Sequence, residues 1–189
     1  MDEGFGKTNP TGKSMTATLE EHVVLVNTLD KAQGTMEKMS AHKKGILHRA
    51  FSVFILNSKG ELLLQQRAQH KYHSGGLWTN TCCSHPRDGE DILDAGIRRL
   101  NEEMGMKCQL SKGFDFIYRS ELDSGLIEHE FDHVLFGRSD LPPTPNMDEV
   151  ASHRYQTFAS IRQEMSAHPE RYTTWFRICF ERAAEFLGK

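Results

Sequence analysis

Residues 89–105 switch the period of the chain from strand-like to helical, and that switch limits the folds open to it. Leu93, Ile97, Leu100 and Met104 recur along one helical face, with Asp91 placed as an N-cap and Gly105 as the C-terminal stop. Short β-branched or apolar runs lie on either side. Residues 22–27 (HVVLVN) and 47–56 read as strands, the second passing through the turn Asn57-Ser58-Lys59-Gly60 into a strand at 61–67. Beyond the helix, residues 114–119 and 127–137 read as strands around a turn at Asp123-Ser124-Gly125. Residues 141–146 read as a loop and 153–158 as a short strand. Residues 170–187 predict a second helix with Phe176, Cys179, Phe180, Ala183 and Leu187 on its apolar stripe. Strands that precede, separate and follow helices, with no internal repeat, predict one α/β domain around a mixed sheet, spanning residues 18–189. Residues 1–17, rich in Gly, Thr, Lys and Ser, are expected to form a loose arm whose removal leaves the domain folded.

Composition narrows the function classes. The 23 basic and 26 acidic residues leave a net charge of -3, so the broad cationic surface of a nonspecific nucleic-acid binder is missing. No apolar run approaches the roughly 18–20 residues that span a bilayer, and the longest, residues 50–56, is interrupted by Ser52. The 4 cysteines form no CxxC pair: Cys82 and Cys83 are adjacent, Cys108 and Cys179 isolated. With no signal-peptide core at the amino terminus, reduced thiols in a cytoplasmic protein are the expectation. The unusual number is 10 histidines, which directs attention to metals.

The segment SHPRDGEDILDAGIRRLNEEMGM, residues 84–106, places Glu90, Arg98, Glu102, Glu103 and Gly105 at the offsets of the Nudix box, and so resembles that family. Such a box gathers carboxylates because Mg²⁺ held by them bridges diphosphate oxygens. Two positions depart from it. Ser84 replaces the first glycine, and Arg99 stands where a Nudix hydrolase carries the first glutamate of its metal-binding pair. A cation there weakens a hydrolytic metal centre while leaving a surface that binds diphosphate. On the helix alone, a solvated face with an Arg99–Glu103 i,i+4 pair explains the residues equally well.

The flanks decide between these. TNTCCSHP at residues 79–86 and GLIEHE at 125–130, with His42 and His48 upstream, closely resemble the type 1 isopentenyl diphosphate isomerases, a Nudix-related family, from about Glu21 to the last helix. The resemblance implies a Nudix-like mixed β-sheet packed between helices. It also implies an enzyme that protonates an alkene and deprotonates the allylic carbon through a tertiary carbocation, in isoprenoid biosynthesis. Such a reaction needs an acid and a base in contact with the substrate, shielded from water. The resemblance assigns these roles to Cys83 and Glu130, whereas Cys82 reads as a buried small apolar residue.

On a strand, Glu128 and Glu130 project from one face and His129 from the other. The resemblance adds His42, His48 and His85, giving one divalent ion in a His3Glu2 site, with Mn, Zn or Mg left open. His22, His70, His73, His129, His133, His153 and His168 read as surface or hydrogen-bonded core residues. Tyr118 matches a tyrosine that hydrogen-bonds to the catalytic glutamate, with a plain core role as its alternative. Trp175 matches the aromatic that faces the cation and lies beside the apolar stripe of its helix, so packing explains it less well. Lys38, Arg67, Lys71 and Arg99 match the diphosphate-binding cations, and Glu103 the carboxylate that holds Mg²⁺ against the substrate. The partner implied is a small isoprenoid diphosphate. Two other readings stay open on residues alone: a Nudix diphosphohydrolase, and a non-catalytic module that uses its histidines for a structural metal.

Overall fold

The computed structural model describes residues 21–122 and 125–189; the predicted amino-terminal arm, and Asp123 and Ser124 of the predicted turn, lie outside the described residues. A hairpin of β1 (His22–Val26) and β2 (Ala32–Glu37) leads into helix α1 (Lys38–Lys44), followed by β3 (His48–Leu56), β4 (Leu62–Arg67) and two short strands, β5 (Trp78–Thr79) and β6 (Cys82–Ser84). Helix α2 (Ile92–Met104) precedes the long hairpin β7 (Leu110–Glu121) and β8 (Ile127–Arg138). Strand β9 (Val150–Gln156), helix α3 (Phe158–Ala167), a 3₁₀ turn at Pro169–Arg171 and helix α4 (Thr174–Phe186) complete the fold.

Among the described residues all nine strands join one mixed sheet. β3 is its hub, pairing in parallel with β8 from His48↔Glu130 to Leu56↔Arg138, and antiparallel with β6 through Ser52↔Cys83 and its neighbours. Strand β3 is apolar at consecutive positions because helices cover both faces of the sheet. On one face Phe54 and Leu56 pack with Leu64, Val134 and Phe136 against Phe158, Phe176 and Phe180 of α3 and α4. On the other, Phe51, Val53 and Ile55 pack with Leu135 against Ile92, Ala95, Leu100 and Met104 of α2. Burying each such phenylalanine or leucine contributes about 1.5–3 kcal/mol of transfer free energy. The period of two also splits the cysteine pair: Cys82 is fully buried on the α2 side, while Cys83 packs against the α4 side.

The predicted α2 is found with its signals in place. Asp91 Oδ1 accepts from the Leu93 N–H at 2.8 Å, and Gly105 closes the helix in the left-handed region at φ 62°. The predicted helix at 170–187 is shorter than expected. Pro169–Arg171 forms a 3₁₀ turn, Thr173 is the extended N-cap of α4, and Leu187 is its C-cap. Helix α3 was not anticipated, and the strand expected at 153–158 begins earlier, at Val150, and ends at Gln156. No helix among the described residues is long and apolar enough to cross a membrane.

Candidate active site

Helix α1 is short, and its caps position the first site residues. The Glu37 carboxylate accepts from Met39 N–H and Ser40 N–H, both at 2.7 Å, and Gly45 turns the chain out in the left-handed region. Lys38 therefore starts the helix and His42 follows one turn later. His42 Nδ1 donates to Lys38 O at 2.7 Å, and His48 Nδ1, at the start of β3, donates to Ile46 O at 2.8 Å. With the proton held on Nδ1, each ring presents an Nε2 lone pair inward, the tautomer a metal ligand needs.

Those lone pairs have no hydrogen-bond partner, and neither has Glu128 Oε2. Yet acceptors face one another: His42 Nε2 lies 3.3 Å from Glu128 Oε2 and His48 Nε2 3.6 Å from Glu130 Oε1, while His85 Nε2 donates to the same Glu130 oxygen at 3.0 Å. Buried acceptors converging in this way call for a positive charge between them. Burial by itself lowers His42, but the Glu128 carboxylate outweighs it and drives this imidazole upward. Burial pushes His85 down to about 4 despite the Glu130 carboxylate. The donor set of imidazoles and carboxylates fits a divalent cation.

The ligand atoms of His42, His48, His85 and Glu130 all lie within 4.8 Å of one another. Glu128, the fifth expected ligand, falls instead into a second group with His42 and His73. His73, read from sequence as a surface or hydrogen-bonded core residue, is brought beside this carboxylate. It is buried, with Nε2 3.4 Å from Glu128 Oε1. The loop carrying it has no periodicity that could have revealed this. His129 projects away as expected, its Nδ1 2.9 Å from Gly45 O.

Glu130 is divided between two environments. Its Oε1 faces His48 and His85, and its Oε2 accepts a 2.7 Å hydrogen bond from the Tyr118 hydroxyl. Burial raises this carboxyl, but the His48 and His85 contacts override it and hold the group well below the usual range. For Glu128, burial and the neighbouring Glu130 charge dominate and move it upward. Cys83 and Glu130 line one cavity with Tyr118 and Trp175. Burial pushes the Cys83 thiol upward against the weaker opposing effect of Arg67, so it stays protonated at neutral pH. Trp175 is only 4% exposed and belongs to the α4 core, so packing accounts for more of it than its place beside the stripe suggested.

Lys38, Arg67, Lys71, Arg99 and Glu103 line the same cavity. Arg67 places its guanidinium 5.3 Å from the Trp175 ring centroid. Lys38 Nζ meets Glu21 at 3.0 Å, and Lys71 pairs with Glu149, a cavity residue the sequence did not mark. Arg99 bonds Glu102 at 2.8 Å and Glu103 at 2.6 Å, so the i,i+4 pair exists within the cavity wall. Glu103 Oε2 also accepts from Gln65 at 3.0 Å. The other box residues brace the loop before α2: Arg98 forks onto Glu90 at 2.7 and 2.8 Å.

The chain matches the NUDIX domain family over residues 46–176. It is similar to the isopentenyl-diphosphate Delta-isomerase of Pectobacterium atrosepticum, with 56% identity over 87% of this chain and 92% of that protein. The isopentenyl-diphosphate Delta-isomerase of Burkholderia multivorans is 49% identical over 87% of this chain and 94% of its own. Among solved structures, the MutT protein of Methanosarcina mazei shares the fold at 19% identity, with a TM-score of 0.63 over 76% of this chain and 96% of that one. The NUDIX match and identities of about half over most of both chains show that this chain, with Arg99 in the carboxylate row of α2, belongs to the isopentenyl-diphosphate Delta-isomerases.

Proposed function

We propose that this isomerase interconverts isopentenyl diphosphate and dimethylallyl diphosphate with Cys83 and Glu130 as its proton-handling pair. The observation that carries this reading is that a thiol kept protonated by burial and a carboxyl kept ionised by histidines line one cavity. One can give a proton to the terminal alkene carbon while the other takes one from the allylic carbon. Tyr118 holds Glu130 Oε2 and fixes the direction in which that oxygen presents itself. The Trp175 ring and the enclosing core keep water from the carbocation, and the π face offsets its charge by roughly 2 kcal/mol when desolvated.

A divalent ion held by His42, His48, His85, Glu128 and Glu130 would supply the positive charge their converging acceptors lack and keep Glu130 ionised. Lys38, Arg67, Lys71 and Arg99 bind the diphosphate by charge-assisted hydrogen bonds, and Glu103 is the carboxylate to hold Mg²⁺ against it. Arg99 in place of a metal-binding glutamate suits a site that keeps a diphosphate intact. The four free thiols support a cytoplasmic setting.

Incubation with isopentenyl diphosphate in deuterated water tests the reading. Dimethylallyl diphosphate carrying deuterium is expected. Released phosphate instead would identify a diphosphohydrolase, and unchanged substrate with tightly bound metal a structural metal module.

A further inference from the structure

Glu128 differs from the other proposed ligands in what stands behind it. Its Oε2 faces His42 Nε2 at 3.3 Å without a hydrogen-bond partner, while its Oε1 lies 3.4 Å from His73 Nε2. His42, His73 and Glu128 are close enough to hold an ion themselves, but His42 offers its Nε2 to this group and to the one formed with His48, His85 and Glu130. One imidazole nitrogen binds one ion at a time, so the two groups do not make two centres. His73 is also fixed from its other sides: Ser74 Oγ stands 3.3 Å from Nδ1, and the Trp175 ring packs edge-on at 5.7 Å. A hydroxyl donating to Nδ1 leaves the ring proton on Nε2, directed at Glu128.

We propose that His73 is a positioning residue that anchors Glu128 Oε1, turning Oε2 toward the ion held by His42, His48, His85 and Glu130. The same ring joins the metal site to the aromatic wall at Trp175. This rests on the ligand reading above. Ligating carboxylates are held by outer partners whose loss costs about 10–100-fold in metal affinity.

The test is Mn²⁺ titration followed by electron paramagnetic resonance on the full chain freed of metal, for the wild type, H73A, H73F and H73Q, each checked for native circular dichroism. Phe keeps the ring packing on Trp175 but removes the N–H, and Gln restores a donor near the Nε2 position. About 10–100-fold weaker Mn²⁺ binding is expected for H73A and H73F, with recovery of most of the loss in H73Q. X-ray absorption should give the same number of imidazoles around Mn²⁺ in H73Q as in the wild type. Unchanged affinity in H73A and H73F overturns the proposal, as does weakening in H73A alone, which marks a packing role. Loss of one imidazole in H73Q overturns it in favour of direct ligation. A wild type that binds no Mn²⁺ overturns the ligand reading itself, an outcome separate from these.

Discussion

Cys82 and Cys83 are neighbours in sequence with opposite surroundings. One faces the core beneath α2, the other the cavity, because successive residues of β6 point to opposite sides of the sheet. Cys83→Ala and Glu130→Gln should each lower turnover by about 10²–10⁴-fold, the usual contribution of a positioned acid or base. Cys82→Ala should leave turnover near wild type and cost about 1 kcal/mol of stability. Steady-state kinetics and urea unfolding of the three variants check both statements, and near-normal turnover in Cys83→Ala refutes its role. At this scale the motifs TNTCCSHP and EHE marked residues that the fold brings to one cavity, because thiol, imidazole and carboxylate groups travel with such short stretches. What they did not mark was His73 and Glu149, which reach the cavity from loops and have no local pattern.

Helix α2 was legible at both ends because its stop and start are local chemistry. Gly105 closes it with its N–H donating to Asn101 O at 3.0 Å, at φ 62°, where a Cβ would clash with the Thr144 carbonyl oxygen. Gly105→Ala should destabilise the domain by at least about 1–2 kcal/mol, the left-handed penalty for an L-residue, before the clash is counted. A lower urea midpoint at unchanged slope is the expected result. Helix α3 was missed for the opposite reason. Its sequence FASIRQEMSA buries only Phe158 and Ile161, so its apolar stripe is too sparse to announce a helix. In the segment after it, Pro169 and the extended Thr173 interrupt what reads as one continuous amphipathic run. β5 and β6 span two and three residues and owe their existence to β4 and β3 alongside them.

For the whole molecule, the histidine–glutamate cluster links fold to function, since it draws on α1, β3, β8 and the segment after β6. An ion that binds there only in the folded state stabilises the domain by about 2.7 kcal/mol at a hundredfold excess over its Kd. For a chain of this size that corresponds to a Tm roughly 5–10 °C higher. Calorimetry before and after chelation should show that drop, with recovery on adding the divalent ion; His48→Ala should abolish the difference. An equal Tm in both states would separate the cluster from metal binding.

The sequence by itself determined the strand and helix periods, the caps of α2, the charge balance and the motif residues, because each is set by neighbours a few positions apart. Only the tertiary structure decided that Glu128 answers to His73 as well as His42, that Lys71 meets Glu149 at the cavity, and that Trp175 belongs to the core. Those depend on loops and helices meeting across the sheet, and contacts between residues far apart along the chain leave no period or spacing to read.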